Sequence, residues 1–224
     1  DDLQRIQIMT ELISKLPYDN PLIGARHYIK HVSSTISELK RGLYTPKSLG
    51  DLANRNLIQV QELSPRIAEH LAQVTRFPST AGPALELFNG IVDILENHEG
   101  LAEQARESLE EAMAEASELG KSKPLTAWKN TWLTKDDTNR FQFTDQDQHK
   151  RIIELAKLYD RYNKTLAEHQ LYDFDDMILR TIDALKTKDE LRFNLQEKYQ
   201  FILLDEFQDT NTAQYLMVKL LVGV

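Results

Sequence analysis

The stretch Phe201-Ile202-Leu203-Leu204-Asp205-Glu206-Phe207-Gln208-Asp209-Thr210-Asn211 sets the terms for the rest of the chain. A buried-type apolar run stops at two adjacent carboxylates and passes into a polar turn. Short apolar strands with acids at their carboxyl ends are how open α/β sheets present metal- and phosphate-handling groups to a ligand crevice. The pattern predicts a strand at about 199–205. In nucleotide hydrolases the first acid of such a pair holds Mg²⁺ beside the phosphates, and a neighbouring carboxylate can take a proton from the attacking water. The plain structural alternative is a solvent-facing strand end whose acids favour the amino terminus of the helix that follows.

Outward from this stretch, helical periodicity dominates. Leu3, Ile6, Met9, Leu12, Ile13 and Leu16 share one helix face that Pro17 ends, and Ala25, Tyr28, Ile29, Val32, Ile36 and Leu39 form a second stripe closed by Gly42. Thr45-Pro46 reads as an N-cap and first-turn proline opening a short helix toward Ala53, with another from Ser64 to Val74. The run Phe77-Pro78-Ser79-Thr80-Ala81-Gly82-Pro83 is a loop. Residues 83–119 read as one long helix or two broken near Gly100. Leu101, Ala105, Leu109, Ala112, Met113, Ala116 and Leu119 face inward there, and Glu103, Glu107, Glu110, Glu111, Glu115 and Glu118 face outward. An amphipathic helix from Gln148 to about Glu168 follows, then helices from Asp173, from Asp189 and from Ala213 to Leu221. The expected fold is predominantly α with one strand, and a lone buried strand needs neighbours to satisfy its backbone.

At 224 residues the chain is long enough for one large or two small cores. It has no cysteine, so a disulfide framework and a thiolate metal site are both excluded. Its apolar runs fall far short of the ~20 residues that span a bilayer, and a cytoplasmic setting is expected. The net charge of −8 means that any DNA contact must be local.

The local candidate is Lys121 to Lys135. Lys121, Lys123, Lys129 and Lys135 occur with no acid among them, and Trp128 and Trp132 are spaced one helical turn apart. Lysines neutralise phosphates and aromatic rings stack on bases; the same tryptophans can equally anchor a core. Gly120-Lys121-Ser122 imitates the end of a phosphate-binding loop, but Glu115 stands where G-x-x-x-x-G-K-S/T needs glycine, so a helix C-cap is the expectation. His27 and His31 are the only histidine pair at helical spacing, with no third ligand in sight.

The run LLDEFQDTNTAQ closely resembles motif II, the Walker B segment, of the UvrD/Rep/PcrA-type superfamily 1 DNA helicases. Leu171-Tyr172-Asp173-Phe174-Asp175-Asp176-Met177-Ile178 is similar to the family's D-F-x-D/E-L-I/L segment, which precedes motif II. By itself that segment also reads as a helix start: Asp173 the cap, Asp176 its capping-box partner, and Phe174, Met177 and Ile178 toward the core. The resemblance implies Mg²⁺ binding by Asp205, a catalytic base at Glu206 and supporting roles for Gln208 and Asp209. It implies ATP and Mg²⁺ as cofactors of a parent helicase moving 3′ to 5′, with single-stranded DNA and single-strand/duplex junctions as partners. Residues 1–170 then match the helical 1B insertion, and 171–224 the return into the RecA-like 1A core. The phosphate-binding loop and the motifs beyond motif II are missing, so the chain is expected to be an inactive fragment that carries no bound cofactor. Two other classes stay open: a helical protein-interaction module with a vestigial helicase motif, and a metal-dependent nuclease using Asp205, Glu206 and Asp209.

Overall fold

A computed structural model describes residues 2–74, 76–144 and 146–223, without the side chains of Asp2 and Arg26. Asp1 and Val224, which bound the two predicted domains, lie outside the described residues. The fold is predominantly α, as expected. The order is α1 (Asp2–Ser14), a 3₁₀ turn (Ile23–His27), α2 (Ile29–Arg41), α3 (Pro46–His70), α4 (Ala81–Leu95), α5 (Leu101–Leu119), α6 (Lys123–Trp132), β1 (Leu133–Lys135), β2 (Phe141–Phe143), α7 (Gln146–Glu168), α8 (Phe174–Thr187), α9 (Asp189–Lys198), a second 3₁₀ turn (Phe207–Asp209) and α10 (Thr212–Val222). No helix among the described residues is long and apolar enough to cross a membrane. The chain forms two compact units, Asp1–Gly50 with Ile153–Val224, and Asp51–Ile152.

Unit Asp51–Ile152 is built on α3, α4, α5 and α6. Val60, Leu63 and Ile67 recur at helical spacing along α3 and, with Leu71 just beyond its end, pack with Phe88, Ile91 and Leu95 of α4 and Ala102, Ala105 and Leu109 of α5. Reading separate helices at 46–53 and 64–74 was wrong: α3 is continuous and carries Pro65 in its interior. Proline removes one helical donor, but the apolar face on both sides of it is buried, and burial outweighs the missing bond. The α4–α5 break does fall near Gly100, which has φ 73°, a conformation that glycine adopts without steric cost. The six glutamates of α5 are exposed as expected, and so is Leu119, against expectation, at the helix end. Gly120 ends α5 in the left-handed conformation as a C-cap. Gly90 permits a close approach: a Cβ there would lie 2.2 Å from the His70 ring, whose Nε2 bonds the Leu87 carbonyl at 2.8 Å.

The hairpin β1–β2 was not foreseen. It pairs Leu133 with Phe143 and Lys135 with Phe141, and Asp136 Oδ1 accepts from the Thr138 and Arg140 amides at 2.9 Å to shape the turn. Three-residue strands lie below what alternation can reveal.

Unit Asp1–Gly50 with Ile153–Val224 has a core of Met9, Ile13, Leu16, Ile36, Leu158, Tyr159, Tyr162 and Leu166. The predicted second stripe does face the core: Ile36 is buried and Ala25, Ile29, Val32 and Leu39 pack against the cluster, while Tyr28 is exposed. Helix α2 also buries Ser33, Ser37 and Lys40, and Lys40 is the unexpected member. Its side chain has no exposed surface, and its ammonium lies 2.7 Å from Asp173 Oδ2 and 2.6 Å from Asp176 Oδ1. Tyr162 donates its hydroxyl to Asp173 at 3.2 Å, and its ring lies 5.3 Å from the Lys40 ammonium. Next in sequence, Arg41 Nε bonds buried Asp175 at 3.0 Å.

The capping box at Asp173 and Asp176 forms as predicted. Its carboxylates cap α8 and neutralise Lys40 together. Phe174 and Met177 are exposed rather than in the core, because the face of α8 that turns inward is set by Asp175, Ile182 and Leu185. Burial pushes the Asp173 carboxyl up, but the Lys40 ammonium and the Asp176 amide outweigh this and hold it below the usual aspartate value. Burial and the Asp173 charge push the Tyr162 hydroxyl up, and burial pushes Tyr159 up to about 12.

No strand forms at 199–205. The stretch is irregular, with bends at Gln200 and Asp205; Phe201 and Leu203 are 89% and 97% exposed, and residues 200–204 make no backbone hydrogen bond to another segment among the described residues. A strand is stabilised by its ladder, and the described residues supply no neighbour for this one.

Two outcomes are expected in denaturation experiments. Phe88→Ala costs about 3–5 kcal/mol, as for a fully buried aromatic. Lys40→Met costs about 3–5 kcal/mol at neutral pH, because it leaves two carboxylates without their cation. Asp173 titrates lower folded than unfolded. Its stabilisation is therefore complete above the unfolded value of about 3.9 and is lost as pH falls through the depressed folded pKa. Asp173→Asn keeps an N-cap side chain, so stability measured from pH 5 downward should fall less steeply in it than in the parent chain. An identical acid limb would contradict this account.

Candidate functional site

The Asp205–Asn211 segment is suspended between two helices held in place by packing. α8 packs against α9 and α10, Gln196 of α9 donates to the Leu220 carbonyl of α10 at 2.8 Å, and α2 holds the start of α8 through Lys40. At the far end, Asn211 caps α10: its side chain accepts from the Gln214 amide at 3.0 Å, and Gln214 Oε1 accepts from the Asn211 amide at 3.2 Å. This N-x-x-Q capping box is legible in the sequence but went unread there. It gives Asn211 and Gln214 a complete structural task.

Within the segment, Asp205 Oδ1 accepts from the Glu206 amide at 3.0 Å. Glu206 has φ 50°, a left-handed conformation that costs a non-glycine residue free energy and often marks functional turns. Its carbonyl accepts from the Asp209 amide at 2.9 Å, closing the 3₁₀ turn, and its carboxylate accepts from the Gln208 amide nitrogen. Asp205, Glu206, Gln208 and Asp209 are exposed. The turn thus leaves Asp205 and Glu206 exposed and consecutive at the end of an irregular segment, with Gln208 fastened to Glu206.

Asp205 and Glu206 fit a hydrated Mg²⁺, which takes one or two carboxylates and fills its remaining positions with water and phosphate oxygens. They do not form a self-sufficient metal centre. Among the described residues no three acids or histidines cluster to hold a metal, and His27 and His31 are both exposed on their own.

The proposed DNA-contact residues fall in the other unit. Trp128 is buried; its indole nitrogen donates to the Ala105 carbonyl at 2.9 Å and to Ser108 Oγ at 3.2 Å, so it anchors α6 on α5. Trp132 is half-buried and stacks on Phe143 with ring centroids 6.0 Å apart. Lys129 lies 4.7 Å from the Phe77 ring centroid and Lys135 5.1 Å from that of Phe141. Lys121 and Lys123 are exposed at the start of α6. The tryptophans therefore serve the fold first, and the lysines keep their charge at the surface.

Sequence reasoning missed Lys40. The signal available was its place one turn after Ile36 on a face that a solvated lysine would avoid.

The sequence profile of the UvrD/REP helicase N-terminal domain matches residues 4–224. A 75-residue stretch is 41% identical to the ATP-dependent DNA helicase PcrA of Staphylococcus aureus (strain Mu50 / ATCC 700699), covering 34% of this chain and 10% of that protein. A 99-residue stretch is 38% identical to the ATP-dependent DNA helicase Rep of Escherichia coli (strain K12), covering 44% of this chain and 14% of that protein. The chain thus matches only a small part of these relatives' length. No solved structure matched it. With the profile spanning nearly every residue, the chain belongs to the UvrD/REP helicase family, as part of its N-terminal domain.

Proposed function

We propose that this chain is a part of an ATP-dependent DNA helicase that moves 3′ to 5′ on single-stranded DNA and at single-strand/duplex junctions in the cytoplasm. The observation that carries the reading is the exposed Asp205–Glu206 pair, held between the end of α9 and the Asn211 cap of α10 at the Glu206 turn. On this reading residues 1–170 are the helical 1B-like insertion and 171–224 a segment of the RecA-like 1A core.

Asp205 would hold Mg²⁺ with its carboxylate, one oxygen of which also accepts from the Glu206 amide. Bound Mg²⁺-ATP supplies the phosphoryl group and the charge that polarises it. Glu206 would orient the attacking water and take its proton, with Gln208 Nε2 donating to its carboxylate. Asp209 closes the turn through its amide. Lys121, Lys123, Lys129 and Lys135 offer phosphate contacts, with Trp132 at the surface and Trp128 holding their helix from behind.

Phosphoryl transfer needs a phosphate cradle, a metal and charge-stabilising groups together, and this chain contains only the carboxylate side. The 224 residues alone are therefore expected to show no Mg²⁺-dependent ATP hydrolysis; turnover that Glu206→Gln abolishes would overturn this. In a full-length protein carrying the chain, Glu206→Gln should lower ATP turnover by about 10²–10⁴-fold, the usual weight of a general base, with nucleotide and DNA binding retained. Unchanged turnover would remove Glu206 from the reaction.

A further inference from the structure

Between α1 and α2, within one compact unit, lies a cleft of about 510 Å³ that no step above uses. Arg5, Lys30 and Arg41 line it, together with Ser33, Ser34 and Ser37 and one acid, Glu38. Glu38 is bound to Arg41 at 3.1 Å, and Arg41 is also held by Asp175. No carboxylate lining the cleft is left for Arg5 or Lys30.

Arg5 reaches across the helix pair, donating to the Ser33 carbonyl and to Ser37 Oγ at 2.6 Å. Its buried Nε has no hydrogen-bond partner, and neither has the Oγ of Ser33, a residue that is 5% exposed. Buried polar groups are almost always satisfied, so two orphans in one cleft call for a missing acceptor. A guanidinium, an ammonium and hydroxyls from successive turns of one helix are the donor set that suits phosphoryl oxygens. A carboxylate has only two oxygens to offer the same donors.

We propose that the α1–α2 cleft binds a phosphoryl group, with Arg5 and Lys30 supplying charge and Ser33, Ser34 and Ser37 supplying hydroxyl donors. This does not depend on the roles given to Asp205 and Glu206. The same chemistry occurs in free phosphate and in a nucleic-acid backbone, and the test separates them.

The 224-residue chain is titrated at constant ionic strength with inorganic phosphate and, separately, with an oligothymidylate lacking terminal phosphates, while backbone amide resonances are followed. Saturable shifts confined to residues 30–37 and the amides around Arg5 are expected in at least one arm. Response to phosphate alone assigns the site to free or terminal phosphate, and response to the oligonucleotide assigns it to the phosphodiester backbone. Lys30 and Ser34 are exposed, so Lys30→Gln and Ser34→Ala leave the fold in place, and each should weaken binding by about tenfold, the loss of one charge-assisted contact. Arg5→Lys keeps the charge but not the planar fork and should weaken it further. Absence of saturable shifts in both arms, or shifts that survive Lys30→Gln and Ser34→Ala unchanged, overturns the proposal.

Discussion

The Lys40 ammonium has no exposed surface, and a buried cation without counter-charge is not tolerated in a folded protein. Its solution is to draw Asp173 and Asp176, both already committed to capping α8, onto one point of α2. One ammonium, two carboxylates and the Tyr162 hydroxyl satisfy one another there, and Arg41 with Asp175 repeats the pairing one residue along. Such a network is costly to break rather than strongly stabilising in itself. What it supplies is register, since α8 can meet α2 with each of these five charged groups paired in very few ways.

The acid turn inherits its position from that register. α8 carries α9 and α10, and the run with Asp205 and Glu206 is strung between them. No large apolar side chain of residues 199–207 is buried. The segment is placed by its two ends: the end of α9 and the Asn211–Gln214 capping box at the start of α10. Glu206 between those ends is left-handed, and both it and Asp205 are exposed. The cleft between α1 and α2 depends on the same helix, because the face of α2 that buries Lys40 also buries Ser33 and Ser37 against Arg5.

Much of the candidate site was legible because its parts are local. A capping box spans four residues, so Asp173 and Asp176 could be paired on paper. The C-cap at Gly120 and the break near Gly100 follow from the conformations glycine allows. The misreadings share an opposite origin. α3 continues through Pro65 because burial on both sides of the proline outweighs a local signal. Phe174 and Met177 are outside because the inward face of α8 was chosen by charges on α2, more than a hundred residues earlier in the chain.

The amino-acid sequence by itself determined the acid pair, the caps, the helical class and the family, because each is written in neighbouring residues. Tertiary structure alone decided that α2 also buries Ser33, Ser37 and Lys40, that Trp128 belongs to the core, and that the run at 199–205 stays unpaired. The physical reason is range. Capping bonds and turn conformations are made within a few residues, whereas a buried charge and a strand each need a partner that only the folded chain can bring.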